Sequence, residues 1–600
     1  MKASKDGVTL RVIAGTHAVL LGLDLAEARR AGCLGFSIER TDLDTGDRRW
    51  LPNLLRLRAD ARPPSTWITT ASAPLQKFRW GDYTVEPGRR YRYRAVARYG
   101  TSAQVLADGV LAERPGGFDA VPGGVTVELR TEDNRQAATA VFFNRGAAAS
   151  KAYNDKFGDN DPDGIPAAKE WLSRGLEAAL LAFLARAQDG EWALHAVVYE
   201  FQKAELLAGL KAASDRGAAV EVVFHARLSS AEAKADAKAV AAGKPKGSTK
   251  AKNEAAIAAA QFGFAPKPRA SNASAIMHDK YVVLLNKGQP VAVWTGSTNW
   301  TDGGLYGQLN VGHAIDDVAV AAAYEQSFQL LKGDPDPKAT KAANAKITPL
   351  PGKAREAIPH GITPLFSPQS DLGMLELYAD VCRTAKLLMV SAPFELHDLI
   401  KAALKSPAGA DVLRYVLADK DGSLGGAEAV EIMERDPAFA AAVATQLQTP
   451  LHDFQSKLLE GKESFHHAGV HVHSKIIAAD PLGPDPILIM GSANFSSNST
   501  TSNDSNVLIF RGDTAVTDIY VADFMRMFEH YLFRYHLARK EEAAKGAAAD
   551  PDAPKIPSAA AAADPASVGM GLADDDAWSA PYYVAGSRQA RDRQAFAGQA

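Results

Sequence analysis

Alternation of apolar and polar residues governs residues 8–132. Val8-Thr9-Leu10-Arg11-Val12-Ile13, Leu34-Gly35-Phe36-Ser37-Ile38-Glu39-Arg40 and Tyr91-Arg92-Tyr93-Arg94-Ala95-Val96-Ala97-Arg98-Tyr99 are each alternating or β-branched, the pattern of strands with one buried face. The spacing predicts a β-sandwich over 1–132. The period then changes. A strand at Ala138–Phe143, a helix at 147–157 ending at Gly158, a helix from near Ala167 to Arg186, a strand at 193–201, a helix at 204–216 and a strand at 218–225 make an α/β alternation. After an Asp/Pro/Lys-rich linker at 333–366 it returns, with helix at 374–384, strands at 387–394 and 412–418, and helix at 427–447 broken at Pro437. Residues 133–345 and 346–540 are therefore expected to be two duplicated α/β halves, each a mixed sheet flanked by helices. The stretch 541–576 is too poor in large apolar groups to build a core and is expected to be disordered. Trp578-Ser579-Ala580-Pro581-Tyr582-Tyr583 is out of character with the 541–600 tail and is expected to dock on the body.

Composition narrows this little. The 600 residues, 46% of them apolar, exceed one compact core. A net charge of −3 gives no global basic field. Charge is uneven, however: an Ala/Lys-rich insertion between Ser229 and Arg269 carries Lys234, Lys238, Lys244, Lys246, Lys250 and Lys252, read as a solvated helix face and loop or, alternatively, as a phosphate-contacting edge. Cys33 and Cys382 are too few and too far apart for a disulfide framework. Neither a cleavable signal nor an apolar run long enough to span a membrane is visible, so the expected location is the cytoplasm, or outside the cell by a route without a cleaved signal.

The chemistry lies in a repeat. His278-Asp279-Lys280 followed by Gly296-Ser297-Thr298-Asn299 returns as His473-Ser474-Lys475 followed by Gly491-Ser492-Ala493-Asn494, at a constant offset of 473 − 278 = 195 residues. Glu200 and Glu395 keep that offset. At a strand start, residues two apart share a face, so His and Lys project together, as do Ser and Asn after the glycine. Each half then offers an imidazole, an ammonium, a hydroxyl and an amide to one small volume. Such groups suit a phosphodiester: cations and amide donors neutralise charge on the phosphoryl oxygens, one imidazole attacks and the other supplies a proton.

This doubled pattern resembles the phospholipase D superfamily, over residues 135 to 540. The resemblance implies two pseudo-twofold halves with the site between them, a phosphohistidine intermediate with His278 as nucleophile, no cofactor, and a phosphodiester substrate, phospholipid head groups first and nucleic acid as the alternative. Water or an acceptor alcohol would complete the reaction. A monomer touching the membrane only peripherally is expected, and a non-catalytic binding protein or scaffold is the reading from another class. The chain departs from the family motif HxKxxxxD: Asp480 completes it in the second copy, but Leu285 stands at that position in the first. The family often places a Glu just before the Asn that follows Gly-Ser-x-Asn; here Leu309 and Ser505 precede Asn310 and Asn506, so Glu200 and Glu395 become the candidates for orienting the rings. Separately, Val85-Glu86-Pro87-Gly88-Arg89-Arg90-Tyr91 resembles the corner tyrosine of fibronectin type III domains.

Two metal readings compete. Asp159, Asp161, Asp163 and Glu170 have the spacing of a calcium loop, but Pro162 and Pro166 favour an acidic turn capping the next helix. His466, His467, His471 and His473 raise a zinc site, against which stand the absence of nearby Cys and the distance of the closest carboxylate, Glu463. No metal is expected.

Overall fold

A computed structural model of the protein describes residues 1–53, 55–63, 66–133, 138–146, 150–158, 160, 162–271, 275–444, 471–549 and 571–598. The N-terminal strands are β1 (Lys2–Lys5), β2 (Val8–Ala14), β3 (Val19–Leu25), β4 (Cys33–Asp42), β5 (Arg48–Trp50), β6 (Arg79–Asp82), β7 (Arg90–Tyr99) and β8 (Val125–Arg130). They form two four-stranded antiparallel sheets, β1-β2-β3-β6 and β5-β4-β7-β8. The alternation explains the pairing: Leu10, Val12, Leu21 and Leu23 of one sheet and Phe36, Ile38, Tyr91 and Tyr93 of the other bury in one core. The Tyr91 hydroxyl accepts the Glu86 backbone N–H at 3.0 Å. One departure from the all-β expectation is a helix at Ser102–Ala112, capped by Thr101. It packs so closely that a Cβ on Gly109 would meet Ala71 O at 2.2 Å.

Two seven-stranded mixed sheets follow. The first contains β9 (Thr139–Phe143), β10 (Trp192–Val198), β11 (Ala219–His225), β12 (Lys267–Arg269), β13 (Lys280–Asn286), β14 (Gln289–Gly296) and β15 (Val311–Ile315), in the order β12-β11-β10-β13-β14-β15-β9. The second contains β16 (Gly361–Ser367), β17 (Leu387–Ala392), β18 (Leu413–Ala418), β19 (Phe439–Val443), β20 (Ile476–Ala479), β21 (Ile487–Gly491) and β22 (Ser505–Arg511), in the order β16-β22-β21-β20-β17-β18-β19. Read from opposite ends, the two orders are the same. Only β10-β11-β12 and β17-β18-β19 pair in parallel. Tyr281, Val283 and Val311 of the first sheet share a buried cluster with Met389, Ile476 and Leu508 of the second.

The sheets also exchange backbone bonds. Met277 bridges Asp504 and Leu309 bridges Val472, and these two bridges are related by the same offset of 195. His278 N–H donates to Asp504 O at 2.7 Å, and His473 N–H to Leu309 O at 3.1 Å. The backbone at each histidine is thus fastened to the other half.

Several expected elements differ. The helix expected from Ala167 to Arg186 is two, Pro166–Ser173 and Leu176–Leu184, because Arg174 and Gly175 take left-handed conformations with φ of 49° and 85°. Residues expected to be helical after Pro437 instead form β19, an alanine-rich strand paired with β18; buried small residues leave no periodicity to tell strand from helix. The expected linker holds the helix Pro337–Ile347, across which the 345/346 boundary falls, and β16. A helix runs from Thr514 to Ala549, into the tail expected to be disordered, of which 550–570 lie outside the described residues. Among the described residues, no helix is long and apolar enough to cross a membrane, and Cys33 and Cys382 are buried free thiols.

The C-terminal aromatics dock on the N-terminal sheets. Trp578 stacks on Phe78 and donates to Cys33 O at 2.8 Å, and Tyr583 donates to Leu25 O. The helix Arg588–Ala597 then lies between β3 and the second large sheet, with Arg591 bonded to Gly409 O and Val412 O. Gly22 makes room for it, since a Cβ there would meet Phe596 O at 2.1 Å. Gly22→Val is expected to displace this helix at a cost of about 1–3 kcal/mol. Limited proteolysis near residues 588–597 should then accelerate while the rest of the chain resists as before; an unchanged cleavage pattern counts against this packing.

Candidate active site

The two His-x-Lys segments meet where the sheets face each other. The His278 and His473 rings lie 6.3 Å apart between centroids, their planes at 71°. Each lysine folds back on its histidine's carbonyl, Lys280 Nζ to His278 O at 2.5 Å and Lys475 Nζ to His473 O at 2.6 Å. All four side chains are buried, none of the residues more than 5% exposed. The glycines ending β14 and β21 allow this crowding, since a Cβ on Gly296 would meet Val311 O at 2.2 Å and one on Gly491 would meet Asn506 O at 2.3 Å.

Each ring is held by the opposite half. His278 Nδ1 lies 2.9 Å from Ser492 O, and His473 Nδ1 lies 2.9 Å from Asn310 Oδ1. Both partners are carbonyl oxygens, so both Nδ1 atoms must donate, leaving the Nε2 lone pairs of the neutral rings unused. Burial, followed by the lysine charges, lowers both imidazole pKa values well below the usual range. Burial also lowers Lys280, to about 7, against the attraction of Glu200 and Asp279. Lys475 is lowered further, by burial and by Lys280. The site therefore strongly favours an incoming anion. Asn299 and Asn494 each have a buried Oδ1 without a hydrogen-bond partner among the described residues, a matched pair of unsatisfied groups at the two motif positions.

Other expected residues sit differently. The Ser297 and Ser492 hydroxyls are not free groups: Ser297 Oγ donates to Asn310 Oδ1 and accepts Val311 N–H, and Ser492 Oγ accepts Asn506 N–H. Asn310 and Asn506 are not counterparts. The offset pairs Asn310 with Ser505, whose buried hydroxyl has no partner among the described residues, while Asn506 Nδ2 donates to Asp279 Oδ1 across the halves at 2.7 Å. Neither glutamate orients a ring. Glu200 is half-buried beside Asn299, Lys280 and Lys252, its pKa raised by burial against their pull. Glu395 is 70% exposed and pairs with Lys401 at 2.9 Å. Asp480 accepts the Lys386 and Leu387 N–H groups and pairs with Arg355, so it braces the local chain, and Leu285 is simply buried in β13.

Two contributors were not singled out from sequence. The Tyr199 ring lies 5.1 Å from that of His278, with Lys280 Nζ 5.0 Å from its centroid; the signal was its aromatic partner at the same offset, Phe394. The other is Asn253. The lysine-rich insertion forms helices Ser230–Ala241 and Thr249–Ala260, and fully buried Asn253 ties the second to Phe201 N, Tyr199 O and His225 O at 2.8–3.0 Å. The second helix is thereby fastened beside Tyr199, while Lys234, Lys238, Lys244, Lys246 and Lys252 are exposed, as a solvated helix face and loop would place them.

Of the calcium candidates, Asp159 and Asp161 lie outside the described residues, Asp163 pairs with Lys169 at 3.1 Å and Glu170 is exposed. His466 and His467 also lie outside them, and His471 Nδ1 stands 3.8 Å from Asp419. Among the described residues no group of three or more His, Cys, Asp or Glu is arranged to hold a metal ion.

Residues 180–332, the segment containing Glu200, His278, Lys280 and Asn299, match the family model described as cardiolipin synthase, PLD-like domain. No curated protein matches the chain. Among solved structures, polyphosphate kinase from Porphyromonas gingivalis is 11% identical, with 57% of this chain and 46% of that one covered and a TM-score of 0.35; the chain thus spans about half of that protein's length. Phosphatidylserine synthase from Haemophilus influenzae Rd KW20 is 11% identical over 60% of this chain and 85% of that one, with a TM-score of 0.40. Yeast tyrosyl-DNA phosphodiesterase is 12% identical over 55% and 84%, with a TM-score of 0.30. These similarities are too low to bear on activity.

A stability test of the site follows from Asp279, whose carboxyl burial raises to about 7 despite the Asn506 bond. Folded chains hold this proton up to about pH 7, whereas unfolded chains release it near the ordinary value of 3.8. Ionisation therefore opposes folding increasingly as pH rises from 4 to 7. Asp279→Asn should stabilise the protein more at pH 8 than at pH 5 in denaturant melts; an equal difference at both values overturns this assignment.

Proposed function

We propose that the chain is a phosphodiester-processing enzyme of the phospholipase D type, its two α/β halves related by a pseudo-twofold axis and its N-terminal sheets forming a β-sandwich. The observation that carries this reading is the pair of buried imidazoles, each fixed through Nδ1 by the opposite half, between two buried lysines. His278 Nε2 attacks phosphorus in line; the N–P bond forms as the bond to the leaving oxygen breaks, and His473 gives that oxygen its proton. Lys280 and Lys475 take up charge on the non-bridging oxygens, with Asn299 and Asn494 beside them. Water or an alcohol, deprotonated by His473, then releases the phosphoryl group from His278. The assignment of roles follows the surroundings. Both rings have carbonyl acceptors that favour an imidazolium, Asn310 Oδ1 and Ser297 O for His473 and Ser492 O for His278, and both lysines oppose it at each ring; His278 alone is also held neutral by the other ring, which favours it as the nucleophile.

Phospholipid head groups are the proposed substrates, in line with the lipid synthase named in the matching family model. Nucleic acid is the second reading, favoured by the lysine-bearing helix that Asn253 fastens beside the site.

Assays with EDTA present on phosphatidylcholine, phosphatidylglycerol and single-stranded DNA test both. His278→Ala and His473→Ala should each abolish turnover on the preferred substrate, and activity retained by both variants sinks the two-histidine mechanism. The rate should be bell-shaped in pH, since one ring must be neutral and the other protonated. Asn310→Ala removes an acceptor worth about 1–3 kcal/mol to a charged donor. It should slow turnover roughly 10–100-fold and move the alkaline limb to lower pH, because the His473 imidazolium loses support; a slower enzyme with an unmoved profile would assign Asn310 a purely structural part. Glu200→Gln should impair turnover at least tenfold, and Glu395→Gln should leave it within about twofold, as its carboxylate is exposed.

A further inference from the structure

A cleft of about 1080 Å³ opens between the N-terminal sheets and the helices Pro166–Ser173 and Leu176–Leu184, and none of the paired-motif residues lines it. Its walls have two characters. One end is cationic. Arg174 donates to Phe143 O and to Asp523, which also accepts from Arg526. Arg145 lies over the Trp171 ring at 4.4 Å and donates through Nη1 to Trp171 O; its Nε and Nη2 have no partner among the described residues. Three guanidiniums therefore gather around one buried carboxylate, and burial with the two neighbouring arginines lowers Arg145 to about 9. His17 adds no charge, as burial holds it near 3. The acids on the walls compensate only in part: Asp316 is taken by Arg186, Glu86 attracts Arg145 from an exposed position, and Glu170 is exposed. The other part is apolar, where Ala178, Ala179 and Ala182 leave a groove flanked by Phe142 and Phe183.

We propose that this cleft is a second binding site for an amphipathic organic anion, a carboxylate or phosphate head on Arg145 and Arg174 with an apolar body over the alanines, Phe142 and Phe183. The head replaces the missing counter-charge, and the body covers the apolar groove. The site adjoins the histidine pair through the chain, since Asn144, next to Arg145, accepts the Asn310 backbone N–H at 2.9 Å.

Isothermal titration of the full chain with decanoate, decyl phosphate and inorganic phosphate tests this. Decanoate or decyl phosphate should bind once per chain, the tighter of the two naming the head group, and inorganic phosphate at least tenfold more weakly. Arg145→Gln and Ala182→Trp, which fills the groove, should each weaken the amphiphile at least tenfold, while Lys475→Met leaves it unchanged. Binding that survives both cleft substitutions, binding lost with Lys475→Met, or no amphiphile binding overturns the proposal. Should Ala182→Trp fail to fold, thermal melting decides: the amphiphile should raise the midpoint of the unmodified chain and not that of Arg145→Gln, and an equal rise in both rejects the site.

Discussion

The reciprocal hold across the two α/β halves is the constraint on which the site depends. Each histidine takes its backbone partner and its Nδ1 acceptor from the opposite half: Asp504 and Ser492 for His278, Leu309 and Asn310 for His473. An imidazole held only by its own strand could rotate about two side-chain torsions. Here the acceptor fixes the ring plane and also the tautomer, so Nε2 is directed by geometry that exists only when the halves are joined. Neither sheet carries a complete site alone, and the shared core of Tyr281, Val311, Ile476 and Leu508 is what keeps the acceptors in place.

That arrangement is costly. Two imidazoles and two ammonium groups share a volume from which water is largely excluded, and each is pushed toward its neutral form. Glu200 offsets this for Lys280 alone; Glu395 is turned to solvent. An anion bound among them would offset the cost of charging the two lysines. The donors that would meet such an anion are already in place before any is bound.

Much of this was legible in the chain. The constant offset singled out the histidines and lysines that the structure brings together, and the strand alternation located the sheets that present them. What the spacing could not convey was environment. Glu200 and Glu395 are identical in type and offset, yet one is half-buried and the other exposed, a difference set by side chains that pack around them. Matching Asn310 to Asn506 by residue type was misleading, since the offset itself pairs Asn310 with Ser505. Alanine-rich stretches were read least well: β19 lacks the branched and aromatic residues that mark a strand, and Asn253, a single polar residue within an Ala/Lys run, determines where a whole helix sits.

The inequality of the halves then acquires a physical reading. At the positions paired by the offset the first half supplies an amide, Asn310, which accepts from His473 Nδ1, and the second a hydroxyl, Ser505, that reaches no partner among the described residues; His278 Nδ1 meets the Ser492 backbone carbonyl instead. An amide oxygen can follow an imidazole through protonation, because its dipole strengthens the bond as the ring becomes charged. His278 has the Ser492 backbone carbonyl in that place, so both rings keep an amide oxygen at Nδ1. The two halves thus hold their histidines by different means, one through a side-chain amide and the other through the main chain.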